Sequence, residues 1–433
     1  MLLALVFSPD LDYLYGLYRE GIKLDLSVTR EFAELMGNPQ NNFRSFHIAG
    51  SNGKGSTSAY IYNILMEKEH TGLYTSPHLK KFNERIIAGR EPISDEEIIK
   101  FIQGNRNLIE ELSAKDRNPT FFEASTIMAF EHFADKKVKY ASIEVGLGGR
   151  LDSTNIIEPE VSVITQVGYE HADKLGCSLT SIAGEKGGII KPGKPVILGD
   201  TKREVIETVR SIAESRNSPF IHSPSVCRIT ELEQNIYGSR FNLATPTSEY
   251  KIETPMVGRF QPGNICTAIL AIENSDVESF SENEIEKGIS RTRWPGRMDI
   301  IRKDPLVMVD GAHNPPAANA LRISMEALKV KPPTLLLGML SDKDAFSFLR
   351  IMQKVSDRVI FTTPDEPTRA IPAGSLAKMA DGIFKDPLVI DNPLEAYEKA
   401  IATSDFVLVA GSLYLIGAIM EHEKAPVMPY AAD

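Results

Sequence analysis

Cysteine, tryptophan and histidine are scarce in this chain: among 433 residues there are three, one and eight. The cysteines, Cys177, Cys227 and Cys266, are isolated and form no Cys-x-x-Cys pair. That pattern gives no zinc site and suits a reducing cytosol, so the expected location is cytoplasmic. A basic surplus is also missing. Lys and Arg number 48 against 58 Asp and Glu, a net charge of −10. General nucleic-acid binding leans on a cationic surface, so nucleic acid is not an expected partner. Local Lys and Arg can still build a positive pocket for an anionic small molecule. No run approaches the roughly 20 apolar residues that a membrane span needs, so no membrane is expected either. Residues 1–7 are apolar but lack a basic leader and are followed by Pro9, Asp10 and Asp12, unlike a signal peptide. Short-period repeats and low-complexity segments are absent.

What is present fits a globular protein with sizeable cores, at 42% hydrophobic and 24% charged residues. At this length two domains are the natural expectation. From residue 46 to 199 strand-like runs (46–49, 72–74, 140–145, 161–165, 195–198) alternate with helical patterns such as 94–112 and 121–134. Such alternation predicts a mostly parallel sheet wrapped by helices. Residues 219–255 are rich in Ser, Thr and short β-like runs, and read as an antiparallel flank on the same domain, followed by a helix over 264–274. Trp294-Pro295-Gly296-Arg297 reads as a junction. Beyond it strands at 306–309, 334–340, 359–363 and 406–410 alternate with helices at 315–328, 344–355 and 393–403. The expected fold is therefore α/β: a P-loop-type, mostly parallel sheet domain over residues 1–293, then a smaller Rossmann-like domain over 294–433.

The densest chemical signal is Gly50-Ser51-Asn52-Gly53-Lys54-Gly55-Ser56, between the strand 46–49 and a helix expected over 57–68. A strand feeding a glycine turn and a helix N-terminus makes a phosphate cradle: backbone N–H groups converge, the helix dipole favours anions, and Lys54 adds a cation. The match to the common P-loop is imperfect, because Gly55 stands where Ser or Thr should follow Lys54. A flexible glycine turn with no ligand would read similarly.

Glu144 ends the strand 140–145 and opens Val145-Gly146-Leu147-Gly148-Gly149-Arg150. A carboxylate at that end of a parallel strand sits where α/β sheets bind ligands, and beside a phosphate loop it suits Mg²⁺. His171 follows the next strand and could share the same cleft, although a lone histidine is more often a structural hydrogen-bonder. Glu185-Lys186-Gly187-Gly188 reads, on its own, as a helix end with a glycine C-cap and a solvated lysine. Asp310-Gly311-Ala312-His313-Asn314-Pro315 repeats the strand–turn–helix logic in the second domain, where Asp310 could take ribose hydroxyls. Closure of the second domain over a nucleotide on the first would exclude water from a reactive acyl phosphate.

Taken together, these segments resemble a known family. The loop 50–56, Tyr74-Thr75-Ser76-Pro77-His78, Glu144 to Asp152, His171, Glu185 to Lys191, Trp294 to Arg297 and Asp310 to Pro315 occur in the order found in folylpolyglutamate synthase/dihydrofolate synthase, within the Mur ligase superfamily. The resemblance runs from about residue 14 to 414. It implies an ATP-dependent ligase that adds L-glutamate to a folate-type carboxylate through an acyl phosphate. It implies that Gly53, Lys54, Gly55, Ser56 and Thr57 hold the triphosphate. Ser76 and Glu144 would ligate the Mg²⁺ of ATP and His171 a second Mg²⁺. Asn264, Arg297 and Asp310 match nucleotide contacts. Thr120, Asp152, Ser153, His313 and Ser412 match substrate positions, the last two in the region that receives glutamate. Lys54, Lys186, His171 and His313 are the implied catalytic set, with Lys186 carbamylated. The implied partners are folate or dihydropteroate, L-glutamate and ATP, and the expected state is a monomer.

Some positions depart from the family pattern: Ser51 replaces a common Thr, Tyr169-Glu170 a Leu-Asp, and Gly187 an Ala. Ser153 stands where bifunctional members often carry Ala, near the pterin pocket, which bears on dihydrofolate synthase activity. Two other readings stay open: a Mur-type ligase for another pterin or a cell-wall precursor, and a regulatory NTPase without ligase chemistry. A simple switch has no need of the Asp310 and Gly411-Ser412 segments.

Overall fold

A computed structural model describes residues 9–17, 21, 25–115, 117–169, 172–366 and 368–430. Its strands, in chain order, are β1 (Arg44–Ala49), β2 (Thr71–Tyr74), β3 (Ile86–Ala88), β4 (Glu91–Pro92), β5 (Tyr140–Glu144), β6 (Val161–Ile164), β7 (Val196–Leu198), β8 (Phe220–His222), β9 (Arg228–Asn235), β10 (Gly238–Ala244), β11 (Glu249–Thr254), β12 (Asp299–Lys303), β13 (Leu306–Val309), β14 (Thr334–Leu337), β15 (Val359–Phe361), β16 (Leu388–Val389) and β17 (Phe406–Ala410). The chain divides into two compact units. One holds Met1–Cys227, Thr245–Thr247 and Asn264–Gly288, the other Arg228–Ala244, Ser248–Gly263 and Ile289–Asp433.

In the first unit eight strands form one sheet in the order β4-β3-β2-β5-β1-β6-β7-β8. The six strands from β2 to β8 in that order are parallel, and β3 and β4 add an antiparallel edge. β1, β5 and β6 are almost wholly buried, as parallel strands covered on both faces must be. Helix starts follow local capping chemistry. Ser94 accepts from Glu97 N–H while Glu97 accepts from Ser94 N–H, opening the helix Asp95–Ala114. Thr120 and Glu123 do the same for the helix Phe121–Asp135. Phe32, Phe43, Phe130 and Phe133 fill the core on one side of the sheet, and Val145, Ile182, Ile190 and Val205 fill that on the other. The sequence missed the β3–β4 edge and the helices Arg203–Ser215 and Glu282–Arg291, and caught only the end of the helix Leu179–Gly187.

The second unit holds an antiparallel meander, β11-β10-β9, and a six-stranded sheet in the order β12-β13-β17-β14-β15-β16. Its six-stranded sheet is parallel apart from the β12–β13 pair. The expected single boundary stood at 293/294, and the chain's last crossing from the first unit to the second falls at 288/289. The antiparallel flank, however, belongs to the second unit and not the first. Val257, just past β11, is buried in a core with Met298 and Met308, and Arg259 N–H donates to Ser324 Oγ.

The cysteine reading needs a second correction. Cys227 and Cys266, 39 residues apart, are joined by a disulfide with Cα atoms 6.4 Å apart, and only Cys177 is free and exposed. Both partners lie in the first unit, where the chain leaves it and where it returns. No helix among the described residues is long and apolar enough to cross a membrane.

The helix after β1 is crossed closely at Gly288, where an added Cβ would fall 2.6 Å from Ile64 Cα and 2.8 Å from Asn63 O. Backbone cannot yield there, so Gly288→Ala should cost about 1–3 kcal/mol in denaturant unfolding. Gly104, exposed in a helix with nothing within 4 Å of a Cβ, is the control. Gly104→Ala should stabilise by about 0.5–1 kcal/mol. Equal effects of the two substitutions would contradict the close crossing.

Candidate active site

The loop after β1 is shaped by two glycines with positive φ, Gly50 at 152° and Gly53 at 91°. A Cβ on Gly50 would fall 1.8 Å from Thr165 Oγ1, so only glycine fits. Neighbouring β6 supplies the loop's anchors. Ser51 and Asn52 N–H donate to Gln166 O at 2.7 and 3.2 Å, and Thr165 Oγ1 donates to Asn52 O at 2.8 Å. Ser51 Oγ donates to Gly168 O and accepts from Gly168 N–H. The helix begins at Lys54 and not at 57, so Lys54, Gly55 and Ser56 form its first turn, where N–H groups lack partners inside the helix. Thr57 Oγ1 is buried with no hydrogen-bond partner among the described residues. Asn264 Oδ1 lies where it would be 2.8 Å from a Cβ on Gly53.

Lys54 Nζ donates to Gly50 O at 3.0 Å and sits 4.0 Å from Glu144 Oε1. Glu144 ends β5, paired with Ile48 of β1, and is 5% exposed. Its other oxygen accepts from Ser76 N–H at 3.4 Å, from the loop after β2. One cation, one carboxylate and the Ser76 loop thus meet at one edge of the sheet. Among the described residues no group of three or more His, Cys, Asp or Glu could hold a metal. The donors present, a carboxylate and hydroxyls beside a phosphate loop, fit Mg²⁺ held jointly with substrate phosphates. His171 lies outside the described residues.

Lys186 is the correction to the residue-level reading. It is not solvated but 1% exposed, in the helix Leu179–Gly187. Nor is Gly188 a left-handed cap, since its φ is −59°. Instead the glycines allow backbone contact. A Cβ on Gly149 would lie 2.8 Å from Glu185 O, and one on Gly188 would lie 2.5 Å from Arg150 Cα. Arg150 N–H donates to Glu185 O at 2.8 Å across that contact. Asp152 is buried and accepts from Leu147 N–H and from Thr154 N–H and Oγ1. Burial pushes its carboxyl up. Ser153 is buried beside it, and Thr120 Oγ1 is engaged as a helix cap.

In the second unit Asp310 follows β13 and Gly411-Ser412 follows β17, its parallel neighbour. Gly411 N–H donates to Ala312 O at 2.9 Å, so these loops touch. Asp310 accepts from Met298 and Ala312 N–H, and burial raises its pKa against the opposing charge of Arg297. A Cβ on Gly311 would fall 2.0 Å from Arg297 Nη1, so the glycine makes room for the guanidinium. His313 Nδ1 lies 2.7 Å from Gly311 O. Ser412 Oγ accepts from Tyr414 N–H and caps the helix Leu413–His422.

Comparison with known proteins follows this geometry closely. The Mur ligase middle domain matches residues 48–272, and the Mur ligase glutamate ligase domain matches 296–413. The chain belongs to the Mur ligase family. Within that family it is similar to the dihydrofolate synthase/folylpolyglutamate synthase of Bacillus subtilis, at 34% identity over 95% of this chain and 98% of that protein. A Mycobacterium tuberculosis folylpolyglutamate synthase complexed with ADP and AMPPCP superposes with a TM-score of 0.89 at 28% identity, covering 97% of this chain and 99% of that one. An FPGS–AMPPCP–folate complex gives 0.84 at 29% identity, covering 95% and 98%. As a Mur ligase of this branch the chain is an ATP-dependent ligase.

The residue reading did not reach Arg85, a buried cation of this Mur ligase near the Ser76 loop. Its guanidinium stacks 5.2 Å from the Phe121 ring and Nε donates to His78 Nδ1 at 2.8 Å. The nearby Ser-Pro-His motif was the only signal pointing there.

Burial drives the imidazoles of His78 and His47 down to about 3, helped by the charges of Arg85 and Lys191 respectively. An unfolded histidine titrates near ~6.5. Between the two values the unfolded chain binds protons that the folded chain refuses, so stability is lost as pH falls from about 6.5 toward 3. The slope is up to about 1.4 kcal/mol per pH unit for each ring. Thermal unfolding should show a falling midpoint across that window and a shallower fall in His78→Asn. A midpoint that is flat or rises on acidification would contradict the neutral assignment.

Proposed function

We propose that the chain joins L-glutamate to the carboxylate of a folate-type substrate in the cytoplasm, acting as a monomer. The observation that carries the reading is the set Lys54, Glu144 and Ser76 at adjoining strand ends of a Mur ligase middle domain, in a chain that continues into a glutamate ligase domain. Lys54, the N–H groups of residues 53–56 and the Thr57 hydroxyl bind the triphosphate, and Ser76, Glu144 and His171 would hold two Mg²⁺ ions, which would supply neutralisation of phosphate charge. The substrate carboxylate attacks the γ-phosphorus of ATP, releasing ADP and forming an acyl phosphate. The amino group of glutamate then attacks that carbonyl, the C–N bond forms, the C–O bond to phosphate breaks, and the amine gives up its proton. Asn264, Arg297 and Asp310 contact the nucleotide, Thr120, Asp152 and Ser153 the pterin substrate, and His313 and Ser412 glutamate.

Lys186 completes the reading as a carbamate. The neutral amine adds to CO2 with loss of a proton, turning a donor without acceptors into an anion with two oxygens suited to Mg²⁺. In a reducing cytosol the Cys227–Cys266 pair is exposed to thiol reductants at half-buried Cys227, while Cys266 is buried.

Mass spectrometry of products, with tetrahydrofolate and dihydropteroate each offered beside glutamate, tests the reading. Glutamylated tetrahydrofolate is the expected product, and product from dihydropteroate would make the enzyme bifunctional despite Ser153. No glutamylated product from either would refute the assignment. Lys54→Ala should stay folded and lose at least about tenfold in turnover, from the ~1.5–3 kcal/mol of a charge-assisted phosphate contact. Lys186→Ala should be strongly impaired and partly rescued by acetate. Full activity of Lys186→Ala would remove the carbamate.

A further inference from the structure

His47 lies inside β1, wholly buried, three residues before the phosphate loop. Its Nε2 is 2.8 Å from Thr154 Oγ1, and Thr154 Oγ1 is 2.5 Å from Asp152 Oδ1. Proton accounting fixes the direction of this chain. Asp152 Oδ1 also accepts from Thr154 N–H at 3.0 Å, and Oδ2 accepts from Leu147 N–H at 2.8 Å. A carboxyl proton would compete with those donors, so the group is an acceptor only. The single hydroxyl proton of Thr154 therefore goes to Asp152, and His47 must donate from Nε2. The ring then carries no proton on Nδ1, which is buried without a partner among the described residues. An apolar side chain would fill this place without leaving a buried acceptor unpaired, so the retained imidazole points to a use for its one donor.

That use lies at the far end of the chain of bonds. Asp152, by holding Leu147 N–H, fixes the turn that starts at Glu144 and ends where Gly149 packs on Glu185 and Lys186. We infer that His47 is a positioning residue for the ligase reaction: acting through Thr154 and Asp152, it fixes the 145–149 turn and so sets Glu144 against Lys54 and the backbone beneath Lys186. His47 touches no substrate in this scheme. The inference rests on the proposed ligase reading, and it makes Asp152 an internal acceptor more than a free substrate ligand.

The test compares His47→Leu, His47→Gln, Thr154→Val, Thr154→Ser and the double variant His47→Leu/Thr154→Val in the full-length protein. Each is measured for kcat, for the Mg²⁺ concentration at half-maximal rate, and for Mg²⁺·ATP binding by calorimetry. Loss of a group that orients a metal ligand typically costs about 10–100-fold. His47→Leu and Thr154→Val should therefore lower kcat at least about tenfold and raise the Mg²⁺ half-saturation. The conservative variants should retain most of the parent activity: His47→Gln keeps a donor near the Nε2 position, and Thr154→Ser keeps the hydroxyl. The double variant should be no worse than the worse single one, since both cut the same chain. A folded His47→Leu within about twofold of the parent in kcat and Mg²⁺ dependence would overturn the inference. If that variant does not fold, Thr154→Val against Thr154→Ser decides it in the same way. A parent protein that binds Mg²⁺·ATP but makes no glutamylated product refutes the ligase reading alone. The calorimetric comparison then still decides the role of His47: unchanged Mg²⁺·ATP affinity in His47→Leu and Thr154→Val overturns it.

Discussion

Strands β2, β5, β1 and β6 lie next to one another and run parallel, so their carboxyl ends form one edge. The Ser76 loop, Glu144, the phosphate loop and the Gln166–Gly168 anchors each follow one of these strands. Parallel pairing requires that successive strands be joined by crossovers, and crossovers deliver loops to the same edge every time. The pairing of Ile48 with Glu144 sets the carboxylate near Lys54. A shift of one residue would turn that carboxylate to the opposite face of the sheet. The second unit repeats the arrangement with Asp310 and Gly411 on adjacent strand ends.

Close backbone approach is the second organising element. Gly149 and Gly188 let the turn after Glu144 lie against the end of the helix that carries Lys186, with the Arg150–Glu185 backbone bond between them. Side chains on either glycine would separate these segments. The Lys186 side chain, on the same helix turn, is buried.

What could be read in the sequence was what local chemistry determines. Gly50 and Gly53 announced a phosphate loop because glycine readily takes the backbone angles such a turn needs, Lys54 because it places a cation there, and Glu144 stood out as a charge ending an apolar strand. The short β-like runs within 219–255 marked an antiparallel flank. Long-range partners were not legible. Lys186 looked solvated because nothing local shows its burial, and the backbone that packs on its helix turn, at Gly149 and Arg150, is far away in the chain. Ser76 entered through resemblance alone, since nothing local ties a serine to a carboxylate 68 residues later. His47 read as one more member of an apolar strand, and Thr154 supplied the missing information from a loop 107 residues on. The meander β9–β11 was assigned to the wrong unit because an amphipathic sheet reveals that it needs a core, not which one.

Cys227 is the last residue of the first unit before the chain departs for the meander, and Cys266 follows directly on its return. The disulfide closes that excursion into a covalent ring. A ring has no ends, so one break in the backbone anywhere between the two cysteines opens it without dividing the protein. The exposed hairpin tip at Tyr237 can therefore be nicked and both halves still migrate as a single molecule, until a thiol cuts the second link.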